Sequence, residues 1–205
     1  MAVITISRQF GAGGKTLGKK VADALGYTFA HTEIIQKIAE MARVSPAWVE
    51  SVEKEAGGRL QRVVSKMVSK PLLERVLKDE QGYIDEEIYI DYLVVLINQM
   101  AEEDNIVFLG RGSQYILNDL PGAFHILLIN TFKNRVRFMM DNYDMTEKSA
   151  TQLVKNEEKR RSNLYKKIGK QDYDKPDLYH LVINMARVDL DHAAQLIYDL
   201  IGHKN

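Results

Sequence analysis

The chain has 205 residues, with 28 Lys+Arg balanced by 28 Asp+Glu, 45% hydrophobic residues and no cysteine. This composition excludes a disordered segment or a disulfide scaffold, along with thiol catalysis and cysteine-held metals. Zero net charge argues against generic binding to nucleic acid or an anionic membrane, and no apolar run approaches the roughly 18–20 residues of a membrane span.

At this length one domain, residues 1–205, is expected. The N-terminus runs straight into Ala2-Val3-Ile4-Thr5-Ile6 with no basic region or cleavage site, so a cytoplasmic setting is expected. Val3–Ser7 is a β-branched run that reads as a buried strand. After it come three glycines in four positions, Gly11, Gly13 and Gly14, and then a helical pattern opened by Lys15 with Leu17, Val21 and Leu25 on one face. Gly26 is placed to end that helix. A second strand, Tyr27–Ala30, precedes a helix from Thr32 to Met41 with Thr32 as its cap. Ser45-Pro46 gives another helix start, cap then proline.

Leu60, Val63, Val64 and Met67 follow helical spacing, Pro71 restarts the chain, and Asp85 to Glu103 reads as one long helix. Residues 33–103 therefore read as a helical insertion. Ile106–Leu109 is a buried strand ending in Gly110-Arg111-Gly112, and Phe124–Asn130 is another, followed by a helix over Phe132–Asn142. Thr146 to Ile168 is helical, Leu181–Asn184 is a last strand, and Leu190, Ala193, Ala194, Ile197, Leu200 and Ile201 line a final helix. Alternating strands and helices predict an α/β fold of three layers, a parallel sheet covered on both faces.

The stretch after the first strand has the makings of a phosphate cradle. Glycines let backbone N–H groups approach phosphate oxygens, and the helix that follows adds its own free amides and positive dipole end. Gly14-Lys15-Thr16 supplies a lysine for the outer phosphates and a hydroxyl for Mg2+. The full motif, G-x-x-x-x-G-K-[ST], wants glycine five positions before Gly14, where this chain has Gln9.

Arginine suits phosphoryl transfer because its planar fork holds two oxygens and stays charged. Residues 155–170 hold seven basic residues against two acidic ones. Arg160 and Arg161 within them are candidates for phosphate contact, and their helical offset of about 100° lets one face the site at a time. Arg111, just past a strand's C-terminal end, lies where open α/β sheets bind ligands, and is the candidate for the acceptor's phosphate. Arg135 is a second candidate there, or else an ion-pair partner on a helix. His31 is a candidate for hydrogen-bonding a ligand, or else an ordinary polar loop residue. Residues 79–104 carry nine acids and no Lys or Arg, the pattern of a solvated helix surface. Five histidines show no zinc-binding spacing, and no Gly-x-Ser-x-Gly is present.

The stretch Ile4-Thr5-Ile6-Ser7-Arg8-Gln9-Phe10-Gly11-Ala12-Gly13-Gly14-Lys15 resembles the start of the cytidylate kinase-like family of P-loop proteins. Gly110-Arg111-Gly112, Glu158-Lys159-Arg160-Arg161-Ser162-Asn163-Leu164-Tyr165 and Tyr179-His180-Leu181-Val182-Ile183-Asn184 extend the resemblance in order along the chain. It implies a P-loop kinase fold with a core of residues 1–32, 104–154 and 177–205, an acceptor-binding insertion over 33–103 and a basic lid over 155–176. It implies ATP- and Mg2+-dependent phosphoryl transfer to a nucleoside monophosphate such as CMP or dCMP. Gly11, Ala12, Gly13, Gly14, Lys15 and Thr16 would hold the donor phosphates, Thr16 the metal, with Lys15, Arg160 and Arg161 catalytic and Arg111, Arg135 and His31 on the acceptor. Partners are expected to be small nucleotides, with no nucleic acid or membrane. Two departures stand out: Leu109 where cytidylate kinase has an acidic residue, and His31 where relatives carry aspartate. A P-loop kinase of a non-nucleotide acceptor and a non-catalytic nucleotide-binding module are the competing readings.

Overall fold

The computed structural model describes residues 2–55, 84, 86–168 and 173–202. In chain order these form β1 (Val3–Arg8), α1 (Gly14–Leu25), β2 (Thr28–Ala30), α2 (Glu33–Ala42), α3 (Pro46–Glu55) and α4 (Glu86–Glu102). They continue as β3 (Ile106–Leu109), the single turn α5 (Ser113–Ile116), β4 (Ala123–Ile129), α6 (Phe132–Tyr143), α7 (Glu147–Lys167), a 3-10 turn at Pro176–Leu178, β5 (Leu181–Asn184) and α8 (Leu190–Gly202). The five predicted strands are all present, each end within one residue of its expected place. The helical segments predicted around Leu60–Met67 and after Pro71 lie outside the described residues, as do residues 169–172 of the expected lid.

All strand pairings are parallel, in the order β2-β3-β1-β4-β5. The alternation of side chains along β1 sorts the layers. Ile4 and Ile6 pack with Leu17 and Val21 of α1 and Ala193, Ala194 and Ile197 of α8. Val3, on the opposite face, packs with α2, α3 and α4 and with the C-terminal end of α7. Thr5 shares that second face and bonds His125 of β4, Oγ1 to Nδ1 at 2.8 Å. A third cluster, Val136, Met139, Ala150 and Val154, joins α6 to α7. Burial of both faces explains why the strands read as apolar runs.

The predicted caps behave in two ways. Ser45 Oγ accepts from Trp48 N at 3.2 Å, as its place before Pro46 requires. Thr32 stands at the start of α2 but its side chain makes no capping bond. Glu33 bonds outside the helix, its Oε2 accepting from His31 N at 3.0 Å and holding the β2–α2 connection. Among the described residues no helix is long and apolar enough to cross a membrane.

β1 has β3 on one side and β4 on the other. The chain leaves β1 toward β2 at one edge, then later crosses from β3 to β4 toward the other. The loops after β1 and β3 thus diverge at their C-terminal ends, the position where open α/β sheets hold ligands.

Candidate active site

The loop between β1 and α1 is held from three sides. Gln9 N donates to Leu128 O at 3.0 Å, and Gln9 Oε1 accepts from Asn130 N at 2.9 Å. Gln9, in the leading-glycine place of the motif, therefore anchors the loop to β4. Gly11 has φ +85° and sits so close to α6 that a Cβ there would lie 2.8 Å from Arg135 O. Only glycine meets both demands. Beyond it, the amides of Gly11, Gly13, Gly14, Lys15 and Thr16 have no hydrogen-bond acceptor among the described residues. Five free donors at a helix start form an anion cradle.

These amides open onto a cavity of about 690 Å³. Its walls come from the loop, the β2–α2 connection, α3, the turn after β3, α6 and α7. Gly11, Gly13, Gly14, Lys15 and Thr16 line it, and Lys15 and Thr16 are exposed. Arg111, Arg160, Arg161 and His31 line it too. Ala12 is buried and Arg135 lies behind the loop; neither reaches the cavity wall. Arg135 donates to Phe10 O at 3.3 Å and to Glu158 at 2.8 Å, bracing the loop against α7. Of the two roles open to it, the ion pair is the one its contacts show.

The cationic wall is organised by carboxylates that sequence reasoning missed. Glu53 of α3 receives Arg111 Nε at 2.8 Å and Arg160 Nη2 at 3.0 Å, with Tyr89 Oη donating at 3.1 Å. Burial opposes ionisation of Glu53, yet Arg111 and Arg160 outweigh it and hold its carboxyl below the ordinary value. Arg111 has φ +52°, and its Nη1 also donates to His31 O. Arg161 pairs with Glu158 and with Asp174, Nη1 to Oδ1 at 2.8 Å, and lies over the rings of Tyr165 and Tyr173. Both arginines of α7 thus face the cavity, contrary to the expectation that the helical turn admits one. Their side chains bend in opposite directions, Arg160 to α3 and Arg161 to the segment before the 3-10 turn. Tyr165 Oη meets Ser7 Oγ at 3.0 Å, tying α7 to the end of β1.

His31 is partly buried, and its Nδ1 has no partner among the described residues. Burial, then repulsion from Arg111, Arg8 and Lys15, pushes its pKa down to about 4, so it is neutral at pH 7. An aspartate here would be a charged acceptor; a neutral imidazole is a weaker and reversible one. No signal in the local sequence picks out Glu53, an acid in an ordinary helix whose partners Arg111 and Arg160 lie 58 and 107 positions away. Glu158 stands three residues before Arg161, a helical pair spacing the sequence does show, whereas Asp174, 13 residues from Arg161, follows no such spacing.

The residues suit a magnesium ion delivered by a nucleotide. Thr16 presents an exposed hydroxyl at the cavity mouth, while no cluster of three His, Asp or Glu able to hold an ion exists among the described residues. Such a donor set leaves most of the coordination to phosphate oxygens and water.

The model of the cytidylate kinase-like family matches residues 3–187. No curated protein matches the chain. Among solved structures, an uncharacterized protein from Eubacterium ventriosum is 20% identical with a TM-score of 0.68, covering 99% of both chains. Shikimate kinase from Bacteroides thetaiotaomicron is 15% identical with a TM-score of 0.54, covering 98% of each. At these identities the likeness is one of fold, a P-loop kinase fold.

Proposed function

The chain belongs to the cytidylate kinase-like family, and from that premise we propose that it transfers the γ-phosphoryl group of ATP to a nucleoside monophosphate, CMP or dCMP. One observation carries the reading: the loop's five free amides and the arginine-rich walls of α7 and the β3 turn open onto a single cavity. Phosphoryl transfer needs alignment and positive charge around the moving group and little covalent chemistry from the protein.

In this reading the five free amides of Gly11, Gly13, Gly14, Lys15 and Thr16 bind the donor phosphates, with the Lys15 side chain on the outer ones. Thr16 would hold magnesium, which would supply positive charge to the donor phosphates when bound. Arg111 presents its Nη2, the nitrogen that Glu53 and His31 leave unused, to the acceptor phosphate. Glu53 fixes Arg111 and Arg160 in place. Helices α2–α4 act as the acceptor-binding insertion, and α7 as the lid that excludes water. His31 and Leu109 both fall beside the acceptor position and favour, as a second reading, an acceptor other than a cytidine nucleotide.

A coupled ADP-release assay over the nucleoside monophosphates, shikimate, gluconate and simple alcohols tests this. Turnover with CMP or dCMP, lost in Lys15→Ala, is the expected result. Turnover with a non-nucleotide acceptor alone would establish the second reading, and ATP binding without transfer to any acceptor would overturn both.

A further inference from the structure

Of the four arginines that line the cavity, Arg111, Arg160 and Arg161 each hold a carboxylate, whereas Arg8 holds none among the described residues. Arg8 is the last residue of β1. Two glycines from different loops make the channel through which its side chain runs. A Cβ on Gly14 would stand 2.8 Å from Arg8 Cγ, and one on Gly110 would fall 2.2 Å from Arg8 Nη1. The guanidinium thereby lies between the phosphate loop and the turn that carries Arg111.

Its surroundings are those of a cation awaiting an anion. The depth of the site strips its hydration, and Arg111 and Arg161 repel it; Tyr165 and Glu53 offset this only in part, so its pKa lies below the ordinary value for arginine. Leaving a partly buried charge without a counter-ion is costly, and a bound phosphoryl group would reduce that cost. The spacing of the loop agrees. Gly13, left-handed at φ +82°, is the residue just before α1. Counted from Gly14 the motif has Lys15 as its lysine and Gln9 in the leading place; counted from Gly13 instead, the leading place five residues before it falls on Arg8. Arg8 thus adds a second cation to that of Lys15, its aliphatic stem lying against Gly14.

We propose that Arg8 is a catalytic residue whose guanidinium grips the phosphoryl group in flight between the donor loop and an acceptor beside Arg111; this rests on the kinase reading above. An acceptor oxygen forms its bond to the γ-phosphorus as the bond from that phosphorus to the β,γ-bridging oxygen breaks, and the electron pair remains on the β-phosphate of ADP. Arg8 neither gives nor takes a proton; its fork holds two equatorial oxygens, and its charge matters most when theirs is greatest.

The test compares wild type with Arg8→Gln in two ways: steady-state kinetics with ATP, Mg2+ and the acceptor, and thermal melts with inorganic phosphate as the probe. The substitution should lower kcat by about 100-fold or more while changing KM for ATP by less than about threefold. Without phosphate the variant should melt at or above the wild-type temperature, since an unpaired cation has gone. Phosphate should raise the wild-type melt clearly more than the variant's, which keeps only the loop amides and the other cations. A kcat within about threefold of wild type, or an equal response of both proteins to phosphate, overturns the assignment. Should wild type transfer to no acceptor, the kinase reading fails and the phosphate melts alone decide the role of Arg8. If Arg8→Gln does not fold, Arg8→Lys gives the same reading: it keeps the charge but not the fork, so an unchanged kcat would overturn the proposal.

Discussion

Glu53 Oε1 stands 2.8 Å from Arg111 Nε, and Glu53 Oε2 stands 3.0 Å from Arg160 Nη2. One carboxylate from α3 thus joins the turn after β3 to the middle of α7. Arg111 holds a left-handed conformation that residues other than glycine seldom adopt, and the contacts to Glu53 and the His31 carbonyl keep it there. Glu53→Gln removes the charge and leaves two partly buried arginines facing a neutral amide. We expect a loss of about 3 kcal/mol in unfolding free energy, measured by urea titration, and a raised KM for the acceptor. A stability unchanged within about 0.5 kcal/mol would show that the pair does not hold this wall.

Lys15 is exposed and makes no ion pair among the described residues. Lys15→Ala should therefore leave the urea midpoint almost unmoved, within about 0.5 kcal/mol. The same change should lower kcat/KM with ATP by at least about 100-fold, because its charge is required only when phosphate is bound. Kinetics and unfolding on one preparation separate these two effects.

Gly11 and Gly26 both have positive φ but differ in what surrounds them. A Cβ on Gly26 would meet nothing within 4 Å, whereas one on Gly11 would collide with Arg135. Gly26→Ala should cost about 1 kcal/mol of backbone strain alone. Gly11→Ala should cost more, on the order of 2–3 kcal/mol, and should weaken ATP binding by calorimetry. Equal costs would mean that the loop moves freely away from α6.

Two histidines should make the fold sensitive to mild acid. Burial and His180 push the His125 pKa to about 4, and His31 is pushed equally low. Both groups bind protons less readily folded than unfolded, where the ordinary value is about 6.5. Their contribution is complete above pH 6.5 and is lost as the pH falls toward 4. Urea midpoints should decline across that window. NMR titration should show His31 and His125 neutral at pH 5.5. His192, which Asp189 raises above its ordinary value through a 2.8 Å hydrogen bond, should already be charged. A charged His125 at pH 5.5 would contradict the buried arrangement with Thr5.

The order of strands and helices was legible because it is written in local periodicity. Val3–Ser7 is a β-branched run and Ile106–Leu109 an unbroken apolar one, and Leu17, Val21 and Leu25 repeat at helical spacing. The loop was legible as well, since Gly11 and Gly13 before Gly14-Lys15-Thr16 leave few other uses. Arg8 was not: at the end of a strand it reads as one residue of a motif, and only its passage between Gly14 and Gly110 shows where its charge goes.

The amino-acid sequence by itself settled the class of fold and the position of the phosphate-binding candidate, because β-strand burial, helix faces and glycine turns depend on neighbours a few residues away. Which cations are free and which are spent was decided by the tertiary structure alone. Glu53 and Arg111 are 58 positions apart, and Arg161 and Arg8 more than a hundred and fifty. Electrostatic pairing follows distance in space, and no local pattern encodes that distance.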